Sequence, residues 1–297
     1  MSFIPKSLLA VTLAVSAITA VAAPAASLPP AACSLDSFAI KTMTDSVTGT
    51  AVSLPGTINS THCYGLISGN DDQVKDPNTN LGYLFDGLLN GGKDKDGKQY
   101  IDPSYFLKDG SSLEPLKDPT KAVDPGWIML GTFGGIEGGT TNTMTGYTIK
   151  GPNGTVNISD LLSVTMAANK TPEGTGTWAL TTKSDIVKQL TNAGLFERSY
   201  FDQLAFVIKA STYWAVYDFN FNTLLKAAPG AFDLTKPYSF SGTWNTGDFD
   251  FKDISHMSVW ARDPLRAADE NQVPLPGTLL LAGIGLAALG AVRRKLG

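Results

Sequence analysis

Two uncharged apolar segments, one near each end, withdraw from any water-soluble fold and so bound what the rest of the chain can build. Leu8–Ala20 follows Lys6 and holds only aliphatic, small and hydroxyl side chains. Leu279–Val292 runs without a charge into Arg293, Arg294 and Lys295. The first segment has the charged start, the apolar middle and the small-residue end of a secretory signal peptide, with A-x-A-like cleavage sites at Ala20-Val21-Ala22 and Ala23-Pro24-Ala25. Residues 1–26 are therefore expected to be removed by signal peptidase and the remainder to fold outside the cytoplasm. Cys33 raises a lipoprotein reading as well, but Pro29-Pro30-Ala31-Ala32 separates it from the apolar run, against the spacing acylation needs.

The second segment predicts one transmembrane helix over 277–292. As a helix it reaches roughly 24 Å at about 1.5 Å per residue. Snorkelling basic side chains and local thinning close the gap to the ~30 Å hydrocarbon core. An amphipathic core helix would need a polar face, and this segment has none. The Arg293-Arg294-Lys295 cluster belongs on the cytoplasmic side, and the signal peptide independently places the body across the membrane.

Just ahead of the helix stands Val273-Pro274-Leu275-Pro276-Gly277-Thr278. The prolines fix their own φ and push their predecessors out of helical space, so the chain is extended there. On the residues alone, this is equally a helix-stop linker or a strand held for a membrane-embedded protease. A proline motif, a short Gly/Leu/Ala span and a terminal basic cluster together resemble the PEP-CTERM signal that exosortase enzymes recognise in the envelopes of exopolysaccharide-producing bacteria. That motif reads V-P-E-P followed by a small or hydroxyl residue. Val273, Pro274, Pro276, Gly277 and Thr278 match it, and Leu275 stands in the glutamate position. The resemblance implies an exosortase-type membrane protease as partner, with a surface or matrix destination after tail processing.

The part between the ends has a globular composition, with 43% hydrophobic and 17% charged residues over the whole chain. With Lys6 and the terminal cluster set aside, 19 basic residues face 27 acidic ones, a balance of −8. Such a body repels phosphate backbones, which argues against nucleic acid as a partner. Gly, Thr, Ser, Asn and aromatic residues outweigh helix formers, the balance of short strands joined by turns. Cys33 and Cys63 are the only cysteines, and an exported chain with an even count predicts a disulfide between them. A metal site is the weaker alternative, since His62 and His256 are the only histidines and no zinc spacing occurs.

Residues 27–125 read as loop-rich, punctuated by Ser68-Gly69-Asn70-Asp71-Asp72, Asp76-Pro77-Asn78, Asn90-Gly91-Gly92 and Lys117-Asp118-Pro119. Asp94-x-Asp96-Gly97 invites a calcium-loop reading, but EF-hand register would put Gly92 first and Pro103 twelfth, so a solvated Asp-Gly turn is favoured. Residues 126–262 read as the β core. Strands are expected at Gly126–Phe133, Thr145–Lys150, Leu161–Met166, Gly176–Thr181, Tyr238–Asn245 and Ser255–Arg262. A hairpin is expected from Gln203–Lys209 and Tyr213–Phe219 about Ala210-Ser211-Thr212, and one short helix at Ser184–Asn192. The order of these strands loosely resembles ectodomains carried by PEP-CTERM substrates. The expected fold is mainly β: an antiparallel β-sandwich of jelly-roll type with an irregular N-terminal section folded onto it. Residues 263–272 form the linker, and 273–297 the sorting signal.

No chemistry announces itself. There is no nucleophile elbow to go with either histidine, and Gly134-Gly135-Ile136-Glu137-Gly138-Gly139 lacks the Lys-Ser/Thr of a phosphate loop. Catalytic residues, metal and cofactors are therefore expected to be none. The expected role is that of a non-enzymatic surface or matrix protein associated with exopolysaccharide or biofilm. A lectin-like module is the alternative, since Trp127, Trp178, Trp214, Trp244 and Trp260 are able in principle to stack on sugars; a secreted glycoside hydrolase using paired carboxylates is a further one.

Overall fold

A computed structural model describes residues 33–71, 80–107, 125–195 and 200–262. In chain order the strands are β1 (Phe38–Asp45), β2 (Ile58–Asn59), β3 (His62–Ser68), β4 (Trp127–Phe133), β5 (Thr141–Thr143), β6 (Thr145–Gly146), β7 (Thr148–Gly151), β8 (Gly154–Asn157), β9 (Leu162–Ala168) and β10 (Thr175–Thr182). Helix α1 (Ile186–Asn192) follows, then β11 (Gln203–Ala210), β12 (Tyr213–Asn220), helix α2 (Phe221–Ala227), β13 (Tyr238–Asn245) and β14 (Ile254–Arg262). The strands pair antiparallel into two six-stranded sheets and one small hairpin of β7 with β8. The first sheet has the order β2-β1-β13-β10-β9-β5 and the second β3-β12-β11-β14-β4-β6.

The inward faces of the two sheets meet in one core. Phe38 of the first sheet lies 4.9 Å from the Phe206 ring and 5.5 Å from the Tyr217 ring of the second. Trp178 lies 5.0 Å from Phe206. Alternation produces this face: in β10, Gly176, Trp178 and Leu180 point in, whereas Thr177 and Thr181 are exposed. Close packing at the centre of the first sheet depends on a short repeat. Gly176-Thr177-Trp178 of β10 and Gly242-Thr243-Trp244 of β13 run antiparallel, so each tryptophan stands opposite the other strand's glycine. The Trp178 indole donates to the Ala39 carbonyl at 3.1 Å, and the Trp244 indole to the Thr177 carbonyl at 3.2 Å. A Cβ at residue 242 would overlap the Ala39 carbonyl oxygen and lie 2.6 Å from the Trp178 indole nitrogen.

The second sheet is covered on its other face too. Leu88, Leu89, Ile101, Tyr105 and Phe106 pack on Tyr64, Trp127, Met129, Val207, Trp214 and Trp260. Asn90 fastens this cover: its side chain accepts from the Trp127 amide at 3.0 Å and donates to the Trp127 carbonyl at 2.7 Å. Burial on both faces explains why β4 and β11 read as continuous apolar runs rather than alternating ones.

Among the described residues nothing closes over the first sheet's outer face, where Thr42, Thr177 and Thr181 are exposed. Across it, cross-strand neighbours form rows of small residues, mostly Thr and Ser: Thr243, Thr177, Ala167 and Thr141 in one, Thr42, Ser241, Ala179, Thr165 and Thr143 in the next. Its six strands contain two charged residues, exposed Lys41 and buried Asp45.

Four expectations need correction. Two short helices form, α1 and α2, where one was expected. The N-terminal section is not an irregular appendage: β1 lies inside the first sheet and β3 edges the second. Both escape the period-two pattern, β1 because its register shifts between Ile40 and Thr42, and β3 because Gly65, at φ +155°, interrupts its side-chain sequence. Thr145–Lys150 is two strands parted at Tyr147, whose amide donates to Leu130 and whose carbonyl accepts from Ile158. The long hairpin turns on two residues, not three, with Ser211 at φ +54°. The membrane helix expected over 277–292 falls outside the described residues, and among those described no helix is long and apolar enough to cross a membrane.

Candidate functional site

The residues singled out in the body separate into a staple, a buried polar cluster and packed aromatics. Cys33 and Cys63 are joined, with Cα atoms 6.1 Å apart, tying the start of the ectodomain to β3. All five tryptophans are buried, none more than 3% exposed, because each sits on an inward face or under the 80–107 cover. Sugar stacking by these rings is thereby removed. Asp94 makes the turn expected of it, its Oδ1 accepting from the amides of Asp96 and Lys98, each at 2.9 Å. Among the described residues no group of His, Cys, Asp and Glu is arranged to hold a metal.

The polar cluster was not foreseen. It lies at one end of the second sheet, where Gln203 of β11 pairs with Asn220 of β12 and Arg262 of β14. Asp202, next to the strand end, accepts from the Arg262 guanidinium at 2.7 Å and from the Asn222 amide at 3.2 Å. Arg262 Nε donates to the Pro125 carbonyl at 3.0 Å, and Gln203 donates to the Phe106 carbonyl at 3.3 Å. One strand over, Asp218 Oδ2 meets His62 Nδ1 at 3.2 Å. Burial raises both carboxyls: Asp202 upward against the pull of Arg262, and Asp218 to about 6 against that of His62, with Asp202 adding repulsion. The Thr61 hydroxyl donates to the Asp218 carbonyl and accepts from the Asn220 amide, so it is committed to β12 rather than to the imidazole. Asp202 Oδ1, Gln203 Oε1, Asp218 Oδ1 and an Arg262 nitrogen are buried and unpartnered. The cluster fastens β14, β11 and β12 to the covering chain at Phe106 and Pro125, and polar residues at strand ends are its only trace in the sequence.

His256 is paired with Asp71, whose side chain is buried, while the imidazole is 28% exposed. His62 and His256 thus each have a carboxylate partner. Beside the polar cluster, with Gln203 in its lining, an apolar cavity of about 100 Å³ opens between the sheets, lined by Met43, Leu180 and Phe240 from the first and Leu130 and Leu204 from the second.

The sorting residues Val273, Pro274, Leu275, Pro276, Gly277 and Thr278 and the basic residues Arg293, Arg294 and Lys295 lie outside the described residues. Sequence comparison decides their identity: residues 272–295 match the family model of the PEP-CTERM protein-sorting motif. The chain carries a PEP-CTERM sorting signal. The match spans the proline motif with Leu275 in its third position, the apolar run and the basic cluster. A PEP-CTERM tail implies an exported protein whose tail is processed by an exosortase at the membrane. Comparison of the chain with curated proteins and with solved structures found no match.

Proposed function

We propose that this is an exported, non-enzymatic surface or extracellular-matrix protein, delivered by signal peptidase and exosortase and associated with exopolysaccharide or biofilm. The observation that carries the reading is the PEP-CTERM motif at 272–295, ten residues beyond the last strand of a disulfide-stapled β body. On this reading the body is a β-sandwich of jelly-roll type, supported by two six-stranded sheets that share one core. The apolar run at 277–292 acts as the temporary membrane anchor and the Arg293-Arg294-Lys295 cluster as its cytoplasmic stop. The non-enzymatic part is supported by the polar cluster, whose two carboxylates are buried and engaged in holding strands.

The test is the intact mass and location of the mature protein in its native host, beside a version truncated after Gln272. Loss of the tail within Val273–Thr278, with the body in the outer envelope or medium, is expected. A chain that keeps residues 279–297 in the inner membrane refutes the sorting reading. Sustained reducing-end release from envelope polysaccharide, abolished by substituting one Asp or Glu, refutes the non-enzymatic one.

A further inference from the structure

We propose that the open outer face of the first sheet is a binding surface for an uncharged polysaccharide chain. The proposal rests on the polysaccharide association above and names the surface responsible for it. Among the described residues the other sheet's outer face is closed by the 80–107 cover, which leaves this one to meet a partner. Its chemistry is unusual for a strand face: rows of Thr and Ser in register across β1, β13, β10, β9 and β5, with alanines between them. The hydroxyls of Thr165, Thr177, Thr181 and Thr243 make no hydrogen bond to other described residues, so each keeps a donor and two acceptor sites for a ligand.

Charge and area identify the partner. Lys41 is the one exposed charge the six strands supply, and the body around the face has a balance of −8. A polymer bearing uronate, sulfate or phosphate finds one cation among these strands, Lys41, whose ammonium already donates to the Thr57 hydroxyl at 2.7 Å, and is repelled by the net negative surroundings. Five strands at ~4.8 Å by three residue rows at ~6.7 Å make a patch of about 24 Å by 20 Å, or about 480 Å². A stable protein interface needs about 800 Å² per partner and buried aromatic or Arg anchors. The face has neither, which excludes a second copy or another folded protein as the occupant. An extended polyol needs little width and offers hydroxyls that can both donate to and accept from the unbonded threonine hydroxyls.

The experiment uses the full chain purified in mild detergent and co-sedimented with insoluble neutral polymers (cellulose, chitin, curdlan and mannan), with cross-linked polygalacturonate as the acidic counterpart. Retention on at least one neutral polymer and none on polygalacturonate is expected. Thr177→Glu/Thr181→Glu, at two exposed positions of the central strand β10, should lower the bound fraction at least tenfold. Lys95→Glu, on the remote 94–97 turn, should leave it unchanged. If the double variant fails to melt cooperatively near the wild-type temperature, Thr177→Val/Thr181→Val, isosteric, uncharged and strand-favouring, takes its place, with a lowered bound fraction again expected. No retention on any neutral polymer, retention on polygalacturonate alone, or face variants that bind as wild type would each overturn the proposal. Tail mass measured on the same preparation separates the two readings. A processed tail with no retention removes this surface and leaves the sorting reading standing, and an intact tail with retention does the reverse.

Discussion

Gly242→Ala is the substitution most directly addressed by the packing of the first sheet. The added methyl would meet the Ala39 carbonyl oxygen and the Trp178 indole, one of them backbone and the other a ring only 2% exposed, so neither can swing away. Overpacking of this kind costs about 1–3 kcal/mol. Displacing the indole also breaks its bond to Ala39, worth about 0.5–1.5 kcal/mol. The expected loss is therefore about 2–4 kcal/mol, or roughly 5–15 °C in Tm for a body of this size. Equilibrium urea unfolding followed by tryptophan fluorescence and far-ultraviolet circular dichroism measures it, with Gly154→Ala as the control. A Cβ at residue 154 meets nothing within 4 Å, and that variant should stay within about 0.5 kcal/mol of wild type. A Gly242→Ala protein as stable as the control would refute the claim that Trp178 crosses β13 through the space a missing side chain leaves.

Two further perturbations test other parts of the body. Replacing Cys33 and Cys63 by serine opens a loop closed across 30 residues, with an expected loss of about 3.6 kcal/mol from loop-closure entropy, read as a lowered urea midpoint. The folded Asp218 carboxyl holds its proton up to about 6, whereas the unfolded one releases it near 3.8, so the folded state binds more protons between those values. Stability should accordingly fall as pH rises from about 4 to about 6, and Asp218→Asn should flatten that part of the profile; an unchanged profile would contradict the assignment.

The sequence disclosed most where a side-chain pattern had one physical cause. The alternation of β10 and β13 and the Ile186–Asn192 helix each follow from a single face meeting water or core, and the sorting motif from a local run of residues that the family model matches. Legibility failed where two causes overlapped. In β1 a register shift puts Lys41 and Thr42 side by side among otherwise alternating residues, and in β3 a glycine breaks a strand that pairs on one edge only. The Gly-Thr-Trp repeat was in plain sight at 176–178 and 242–244 but is too short to register as periodic, and only cross-strand pairing gives it meaning. The Asp202–Arg262 and His62–Asp218 pairs join residues 60 and 156 positions apart, and nothing local marks either member. The hydroxyl rows were visible only as an abundance of Thr and Ser, since two-dimensional order across strands has no one-dimensional trace.

The position of β14 bears on how the body would respond to tension. It is an interior strand, hydrogen-bonded to β11 on one side and β4 on the other, and its last residue is Arg262, clamped to Asp202 and Pro125. A pull on the tail, whether from the membrane or from a matrix polymer, therefore enters the fold at a strand tied on both sides rather than at a free edge. The guanidinium clamp and the backbone pairing of Arg262 with Gln203 and Trp127 meet at the point where the load arrives, so drag on the protein is shared between a buried charge pair and two sets of backbone bonds.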